Sequence, residues 1–327
     1  MPLFETLLVD ATAVAALVEQ HWGLTLGAQL KASQNTTYAA TDASGAHFAV
    51  RATADPSGAK HARITDELQL VAHLARSVPA VCAPVPPRGA DGDSSLAVHV
   101  GGVTVCVVRW ARGEAVDFAA YRWMTDATVI AAWGSCFAQL HRAARDFAQH
   151  APQVAARVQR WDDLHGGLMA GVAVAPEDAA AASDPRCFGL LHGDLNVSNF
   201  CLEEAGGGAP PQLSVFDFDQ ACRGWWEYDL AQAALTSLML AEGGSLPAGD
   251  PVPQAQPDAF LDALVDGYER VAGPGAVDRP RLARMLKLRK LSCAKFCAQA
   301  AAEGSAPPEM AWFIDYINRW MARAPPQ

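Results

Sequence analysis

Basic residues are scarce in this chain. Its 327 residues include 25 Lys and Arg against 35 Asp and Glu, which gives a formal net charge of -10 and a pI near 5.3. A nucleic-acid partner normally requires a basic stripe that neutralises phosphates, so the composition argues against one. A phosphorylated ligand would instead need metal ions or a few well-placed cations.

Long uncharged apolar segments are also missing. No stretch of about 18 apolar residues lacks a charge, so we expect no membrane span. The N-terminal run MPLFETLLVDATAVAALVEQ has no basic segment and carries Glu5 and Asp10, unlike a secretory signal. These absences predict a soluble, cytoplasmic protein.

The sequence lacks a C-x-x-C pair and any Cys/His series with the spacing of a zinc site. Its eight cysteines are scattered, and several lie in apolar segments such as VTVCVV and NFCLE. Buried, reduced thiols are therefore expected at these positions, because free cysteine behaves as a small apolar side chain.

Hydrophobic residues make up 51% of the chain, and their pattern in the first third indicates strands and one helix. TTYAAT (36–41) and AHFAVRA (46–52) are separated by a short turn and predict a hairpin. SLAVHV (95–100) and VTVCVVRW (103–110) are separated by two glycines and predict a second hairpin. Between the two hairpins, the apolar residues of 60–77 recur at helical spacing.

After Gly113 helical periodicity dominates. Three short strands, FGLLHGD, NFCLE and LSVFD, cluster between 188 and 217, and the segment 260–324 predicts three helices. A chain of this length can form two lobes, each with its own core. We predict an α+β fold with a small, β-rich nucleotide-binding lobe at 1–110 and a larger, mainly helical catalytic and acceptor-binding lobe at 111–327.

Two groups of polar residues follow apolar, strand-like runs. HGDLNVSN covers residues 192–199, and VFDFD covers residues 215–219. Carboxylate and amide oxygens at strand ends, facing one cleft, suit a hard cation such as Mg²⁺, which leaves part of its shell to water and phosphate oxygens. Asp194, Asn199 and Asp217 are the candidate residues for such a site.

This arrangement resembles the phosphoryl-transfer motif of kinase-like enzymes, in which H-x-D-x-x-x-x-N is followed by a strand that ends in a metal-binding Asp. The H-G-D variant and the continuation FDFDQACRGWWEYDLA are similar to the aminoglycoside phosphotransferase/choline kinase-like superfamily. Within it, the stress-response Ser/Thr kinase and homoserine kinase-like group is the most similar. The resemblance implies a protein-kinase-like bilobal fold and transfer of the γ-phosphoryl group of ATP, with Mg²⁺, to a hydroxyl group.

The resemblance also implies a role for each polar residue of these segments. Asp194 would take or orient the proton of the acceptor hydroxyl, and Asn199 and Asp217 would hold Mg²⁺. His192 would brace the loop. Asp229, twelve residues after Asp217, would support the loop from below.

A cation that clamps nucleotide phosphates is expected on a strand of the N-terminal lobe. On AHFAVRA, Phe48 and Val50 share one face, so Arg51 points to the other. Glu67 lies on the margin of the apolar stripe of the 60–77 helix, where a carboxylate needs a cation. An Arg51–Glu67 pair would match the ion pair that positions nucleotide phosphates in kinases, and an ordinary salt bridge is the alternative.

The N-terminal lobe departs from the protein-kinase pattern in two ways. Arg51 stands where protein kinases have Lys, and the loop KASQNTTY (31–38), in the place of the phosphate-covering loop, contains no glycine. Ser33 and Asn35 could still offer hydroxyl and amide groups to phosphate oxygens. Trp110, in the linker VVRWARGE, would either pack under the nucleotide or fill the seam between the lobes.

The acceptor is less well defined by the sequence. Asp219, Glu227 and Asp229 are acidic and lie close to the motif, so a cationic amino alcohol, an amino sugar or homoserine would suit the cleft. Asp219 and Glu227 are candidate substrate contacts, and a structural or solvent-facing role is the alternative for both. No activation segment is visible between Asp217 and the helices that follow, which favours a small-molecule acceptor.

Three other interpretations stay open at this stage. A Ser/Thr protein kinase of the same fold would use the same motif. A pseudokinase would bind the nucleotide without turnover, and a metal-dependent glycosyltransferase would use Asp217 and Asp219 as a D-x-D metal site but leave HGD-x4-N unexplained. The sequence specifies the oligomeric state no further than a monomer or homodimer.

Overall fold

The computed structural model describes residues 9–32, 35–90, 92, 96–205, 209–243, 256–304 and 311–323. Ser33, a predicted nucleotide contact, lies outside the described residues.

The strands belong to three antiparallel sheets. They are β1 (Thr25–Ala32), β2 (Thr36–Thr41), β3 (His47–Ala54), β4 (Ala97–Val100), β5 (Val103–Arg109), β6 (Glu114–Ala115), β7 (Phe188–Leu191), β8 (Phe200–Glu203), β9 (Gln212–Val215) and β10 (Cys222–Trp225). The first five form one sheet in the order β1-β2-β3-β5-β4. Both predicted hairpins, β2–β3 and β4–β5, are confirmed.

Most of the helices follow this sheet in the chain. They are α1 (Ala11–Trp22), α2 (Ala59–Ser77), α3 (Arg122–Thr125), α4 (Ala127–His150), α5 (Pro152–Arg157), α6 (Leu164–Gly167), α7 (Pro176–Ala181), α8 (Trp226–Gly243), α9 (Pro257–Ala272), α10 (Arg279–Glu303) and α11 (Ala311–Arg323). The predicted helix at 60–77 is α2, and the three predicted C-terminal helices are α9, α10 and α11. The predicted α+β class, with a β-rich N-terminal part and a mainly helical C-terminal part, is confirmed. The lobe boundary at residues 110 and 111 stays a prediction.

The N-terminal sheet separates an apolar face from a mixed face. Phe48 and Val50 of β3 pack with Val18 and Trp22 of α1 in one cluster. Alternation along the strand then directs Arg51 to the opposite face, where α2 covers the sheet. Strand pairing places Lys31 opposite Thr37 and Thr37 opposite Arg51, so these three side chains form one row across β1, β2 and β3.

Helices α4 and α9 form the centre of the C-terminal core, and glycine allows their close approach. A Cβ atom at Gly134 of α4 would lie 1.9 Å from the carbonyl oxygen of Leu264, and one at Gly267 of α9 would lie 2.1 Å from that of Ala131. The hydroxyl of Ser135 donates a hydrogen bond to the carbonyl oxygen of Gly267 at 2.8 Å. The two helices therefore meet backbone to backbone. Strand β7, which leads into residues 192–199, packs against α4.

The described part of the chain contains no helix that is long and apolar enough to cross a membrane. All eight cysteines are free; five are buried, as predicted, and Cys187, Cys201 and Cys293 are only partly buried. Within the same described ranges, no group of three or more His, Cys, Asp and Glu side chains could hold a metal ion by itself.

Candidate active site

The segment 192–199 forms a tight loop between β7 and β8 that presents the carboxylate of Asp194. The side-chain amide of Asn199 donates to the backbone carbonyl of Asp194 at 2.8 Å and to its Oδ2 atom at 3.3 Å. Asn196 and Gln232 both donate to Oδ1, at 3.1 and 2.6 Å. Burial raises the pKa of Asp194. Three amides thus fix the orientation of one partly buried carboxylate.

Asp229 anchors the start of this loop from inside the core. Its carboxylate is fully buried and accepts hydrogen bonds from the backbone N–H groups of His192 and Gly193, both at 2.9 Å. His141 of α4 lies 3.1 Å from the same carboxylate. Burial alone would raise the pKa of Asp229, but the contacts with His141 and Gly193 hold it below the ordinary value.

His192 connects the catalytic loop to the second acidic segment. Its Nδ1 atom accepts from the backbone N–H of Asp194 at 3.3 Å, so Nε2 carries the proton and donates to the carbonyl of Phe216 at 3.1 Å. Gly193 is required between them, because it has φ +82° and an added Cβ would lie 2.0 Å from the carbonyl oxygen of Gln220. The loop therefore has a fixed position relative to residues 216–220.

The second acidic segment lies against the N-terminal sheet. Asp217 adopts a left-handed backbone conformation with φ +66°, and its Oδ2 atom is 3.8 Å from the ammonium of Lys31 on β1. Asp219 accepts a hydrogen bond from the side-chain amide of Asn35 at 3.1 Å, and Asn35 accepts one from Thr53 at 2.6 Å. Burial and the neighbouring charge of Asp217 raise the pKa of Asp219 to about 8.

Arg51 and Glu67 form the ion pair that the sequence suggested, and its geometry is bidentate. The two guanidinium nitrogens lie 2.8 and 2.9 Å from the two carboxylate oxygens, and both side chains are mostly buried. The Nε atom of Arg51 is buried without a hydrogen-bond partner. This geometry fixes a guanidinium, and not only a point charge, at the middle of the sheet.

The oxygen donors at this place fit a divalent cation. Asn199 uses its amide nitrogen on Asp194, which leaves its carbonyl oxygen as a donor, and Asp217 adds a carboxylate. Burial, together with the neighbouring charge of Asp217, disfavours the ionised form of Asp219, and a bound cation would favour that form. The protein oxygens are too few for a complete shell, which suits Mg²⁺, because that ion usually completes its shell with water and phosphate oxygens.

A cavity of about 520 Å³ lies between the sheet and the C-terminal helices. Of the predicted site residues, it brings together Asn35, Arg51, Asp194, Asp217 and Asp219 along its lining.

Four further predicted residues do not line the cavity but hold residues that do. Glu67 pairs with Arg51, Asn199 holds Asp194, and His192 and Asp229 hold the loop.

Two predicted residues lie elsewhere. Trp110 is 42% exposed, packs on His47 with ring centres 5.7 Å apart, and is not among the residues lining the cavity. Glu227 is buried, lies 3.4 Å from Arg281 and accepts from the backbone N–H of Asp278 at 3.1 Å. Burial raises its pKa. Glu227 therefore belongs to an internal ionic network and not to the acceptor pocket.

Several contributing residues were not singled out from the sequence. Asn196 and Gln232 orient Asp194, Lys31 faces Asp217, and Arg289 of α10 donates to the carbonyl of Gly193. Asn196 stands inside the quoted motif, so its amide was a readable signal. Gln232 and Arg289 gave none, because they lie about 40 and 95 residues from the loop that they contact.

Comparisons with known proteins bear on the family and the fold of this chain. The model of the phosphotransferase enzyme family matches residues 29–283. A search of curated proteins found no match to the sequence.

Solved structures give the same fold. An amicoumacin kinase in complex with AMP-PNP and Ca²⁺ is 16% identical, with a TM-score of 0.70, covering 97% of this chain and 95% of that one. A microcompartment-associated aminopropanol kinase is 20% identical, with a TM-score of 0.61 and 96% coverage of both chains. A spectinomycin phosphotransferase in complex with ADP is 12% identical, with a TM-score of 0.59, covering 97% and 95%.

The family match extends over well over half of the chain and includes the catalytic loop, both acidic segments and the Arg51–Glu67 pair. It agrees with the resemblance found in the HGD-x4-N motif. The chain belongs to the phosphotransferase enzyme family.

Proposed function

We propose that this protein transfers the γ-phosphoryl group of ATP, with Mg²⁺, to a hydroxyl group of a small molecule. The observation that carries this proposal is that the oriented carboxylate of Asp194 faces the same cavity as Asp217 and Arg51. A proton acceptor, a metal-binding carboxylate and a phosphate-binding cation are the parts that phosphoryl transfer requires.

The donor binds at the end of the cavity next to the sheet. Lys31 and Arg51, in one cross-strand row with Thr37, supply positive charge and a hydroxyl for phosphate oxygens. Asn199 and Asp217 would hold Mg²⁺, which would supply positive charge against the transferring group. A relative of the same fold was solved with AMP-PNP and Ca²⁺, which supports this arrangement.

The acceptor binds on the opposite side of Asp194. Its hydroxyl donates to the Asp194 carboxylate and gives up its proton there as the new O–P bond forms, while the bond between the γ-phosphorus and the bridging oxygen breaks and ADP leaves. Asn196, Asn199 and Gln232 hold the carboxylate throughout, so most of the catalytic effect comes from positioning and electrostatics.

The test compares Mg²⁺-dependent ATP consumption of the native protein and Asp194→Asn, with a broad panel of alcohols as acceptors. We expect Asp194→Asn to lower turnover by at least about 100-fold, with ATP affinity retained in calorimetry. Asp258→Asn, an exposed substitution on α9, is the matched control and should retain turnover.

Unchanged turnover of Asp194→Asn would refute the assigned role. Failure of the native protein to bind ATP would refute the donor, and binding without any Asp194-dependent turnover would favour a pseudokinase.

A further inference from the structure

The end of the cavity away from the nucleotide is built by three helices that each present one stripe. Helix α8 contributes positions three and four apart, and α10 and α11 do the same, which is the spacing of a single helix face. The lining residues that matter here are Leu235, Thr236, Met239, Ser292, Phe296 and Phe313.

This helical wall is mainly apolar. Leu235, Met239 and Leu240 are buried, and the aromatic rings of Phe296 and Phe313 also face the cavity. The carboxylates among the described residues that line the whole cavity are Asp194, Asp217 and Asp219. All three lie at the phosphate end and not on the helical wall. The wall thus offers surface for apolar carbon and, in its described part, no counter-ion for an ammonium group.

The basic groups at this wall are not available to an anionic acceptor. Arg289 is buried, donates to the carbonyl of Gly193 and lies over the ring of Tyr228 at 4.3 Å. His165 has its ring centre 4.9 Å from that of Phe296, and burial, with Arg289 and Arg63, lowers its pKa to about 4. The imidazole is therefore neutral near pH 7. Arg289 is thus held by Gly193 and Tyr228, and His165 is uncharged, so neither of these two side chains is placed as the counter-ion of an anionic acceptor.

Two of the three acidic residues that suggested a cationic acceptor have other partners, and the third, Asp219, lies at the phosphate end. Asp229 is committed to the amides of His192 and Gly193, and Glu227 pairs with Arg281. Burying an ammonium against an apolar wall without a counter-ion is strongly unfavourable. The geometry opposes a compact polycationic substrate in the described part of the pocket.

Given the proposed phosphoryl transfer, on which this inference rests, we infer that the acceptor is an uncharged alcohol whose non-reacting part is a ring or chain of mainly apolar carbon. The rings of Phe296 and Phe313 pack against that part. Thr236 and Ser292 provide hydrogen bonds for one or two further oxygens, and the reacting hydroxyl lies at Asp194.

His165 lies at the same wall and has a left-handed backbone. It has φ +53°, a conformation that is uncommon for residues other than glycine and concentrates at functional sites. This turn places the imidazole on the cavity side, against Phe296. A strained residue at the wall, outside the catalytic motif, fits a part in shaping the acceptor pocket.

The test uses two alcohols of the same chain length, 4-phenyl-1-butanol and 4-amino-1-butanol, with choline as a third probe. Their dissociation constants are measured by ligand-detected NMR with the Mg²⁺ complex of AMP-PNP bound. We expect the phenyl compound to bind at least about tenfold more tightly than the ammonium compound, because its ring leaves water for the apolar wall. Binding of AMP-PNP in the same sample reports on the proposed function, so that its failure is distinguished from failure of the inference.

A substitution in the wall sharpens the comparison. Thr236→Asp introduces a carboxylate and should reverse or abolish the preference for the phenyl compound, whereas Asp258→Asn, at an exposed position on α9, should keep it. Equal binding of the two alcohols by the native protein, or no binding of the phenyl compound to the nucleotide complex, would overturn the inference. Tighter binding of choline would show that the aromatic side chains form a cation site, which would also overturn it.

Discussion

At the scale of single residues, Arg51 is the side chain whose proposed role can be tested most directly. Its pair with Glu67 is buried and two-fold, so each partner depends on the other for a counter-charge. Such a pair could position phosphates or could be an ordinary salt bridge, and stability alone does not separate these two interpretations. Nucleotide affinity does separate them.

The first prediction concerns this pair. Arg51→Met should lower the free energy of unfolding by about 3 kcal/mol, because the carboxylate of Glu67 is left buried without a partner. The double variant Arg51→Met/Glu67→Gln should recover much of that loss while still binding MgATP weakly, since the phosphates have lost their cation. Urea denaturation and calorimetry measure the two effects. Native-like MgATP affinity in the double variant would make the pair purely structural.

His165 carries the second prediction, a dependence of stability on pH. Its pKa falls from 6.5 to about 4 on folding because of burial, so between these values the unfolded chain binds more protons than the folded one. The free energy of unfolding therefore falls as the pH drops from 6.5 towards 4. His165→Asn, which tolerates the left-handed backbone, should lose less stability between pH 7 and pH 5, by on the order of 1 kcal/mol.

Urea denaturation of both proteins at the two pH values measures this difference. His141 is also buried with a lowered pKa, but it is present in both proteins and cancels. Identical pH dependence of the two proteins would show that folding does not lower the pKa of His165.

Helices and strands are the scale at which the sequence was most informative. Period-two segments became β2 to β5, and the helical periodicity of 60–77 became α2, because both patterns record which face of an element is buried. The contact between α4 and α9 is different. It depends on Gly134 and Gly267, which lie in two helices far apart in the sequence and gave no local signal of their pairing.

The third prediction tests this contact. Alanine is favoured over glycine by about 1 kcal/mol in a helix interior, so Gly134→Ala would stabilise a free helix. Here the methyl group would meet the carbonyl oxygen of Leu264, and we expect a loss of about 3 kcal/mol as the helices are forced apart. Arg142→Ala, an exposed position on the same helix, should change stability by no more than about 0.5 kcal/mol. Chemical denaturation that shows Gly134→Ala to be more stable would contradict the packing.

At the scale of the whole molecule, the two lobes are joined at several points around the cavity. Asn35 of the N-terminal lobe donates to Asp219, the backbone N–H of Cys82 donates to the carbonyl of Val215 at 2.9 Å, and Asp66 of α2 pairs with Arg157 of α5. A ligand that bridges the cavity therefore stabilises both lobes together.

The fourth prediction follows from this coupling. MgATP at about 100 times its dissociation constant should stabilise the protein by about 2.7 kcal/mol and raise the melting temperature by several degrees. Excess EDTA should remove a large part of the shift in the native protein. In Asp217→Asn the shift should be small, and EDTA should change it little, because the metal contributes less there. Thermal unfolding with ATP alone, MgATP and MgATP with EDTA measures these differences. Equal shifts under all three conditions would exclude a metal-assisted nucleotide site.

The sequence by itself determined the family, the fold class and the polar residues of the catalytic segment. HGD-x4-N and the strand that leads into Asp217 are local patterns. Such patterns can be recognised in the sequence because the spacing of their residues sets where each side chain points. The Arg51–Glu67 pair was also readable, since strand alternation and helix periodicity each restrict one of its partners to a single face.

Only the tertiary structure decided what lines the helical end of the cavity. Glu227 and Asp229 stand close to the motif in sequence. In the structure, however, Glu227 pairs with Arg281, and Asp229 accepts hydrogen bonds from the backbone N–H groups at the start of the loop. Gln232, Arg289, Phe296 and Phe313 reach the site from helices whose mutual orientation no short pattern encodes. Packing between distant helices selects which stripe faces the cavity, and that selection gives the pocket its charge and its apolar wall.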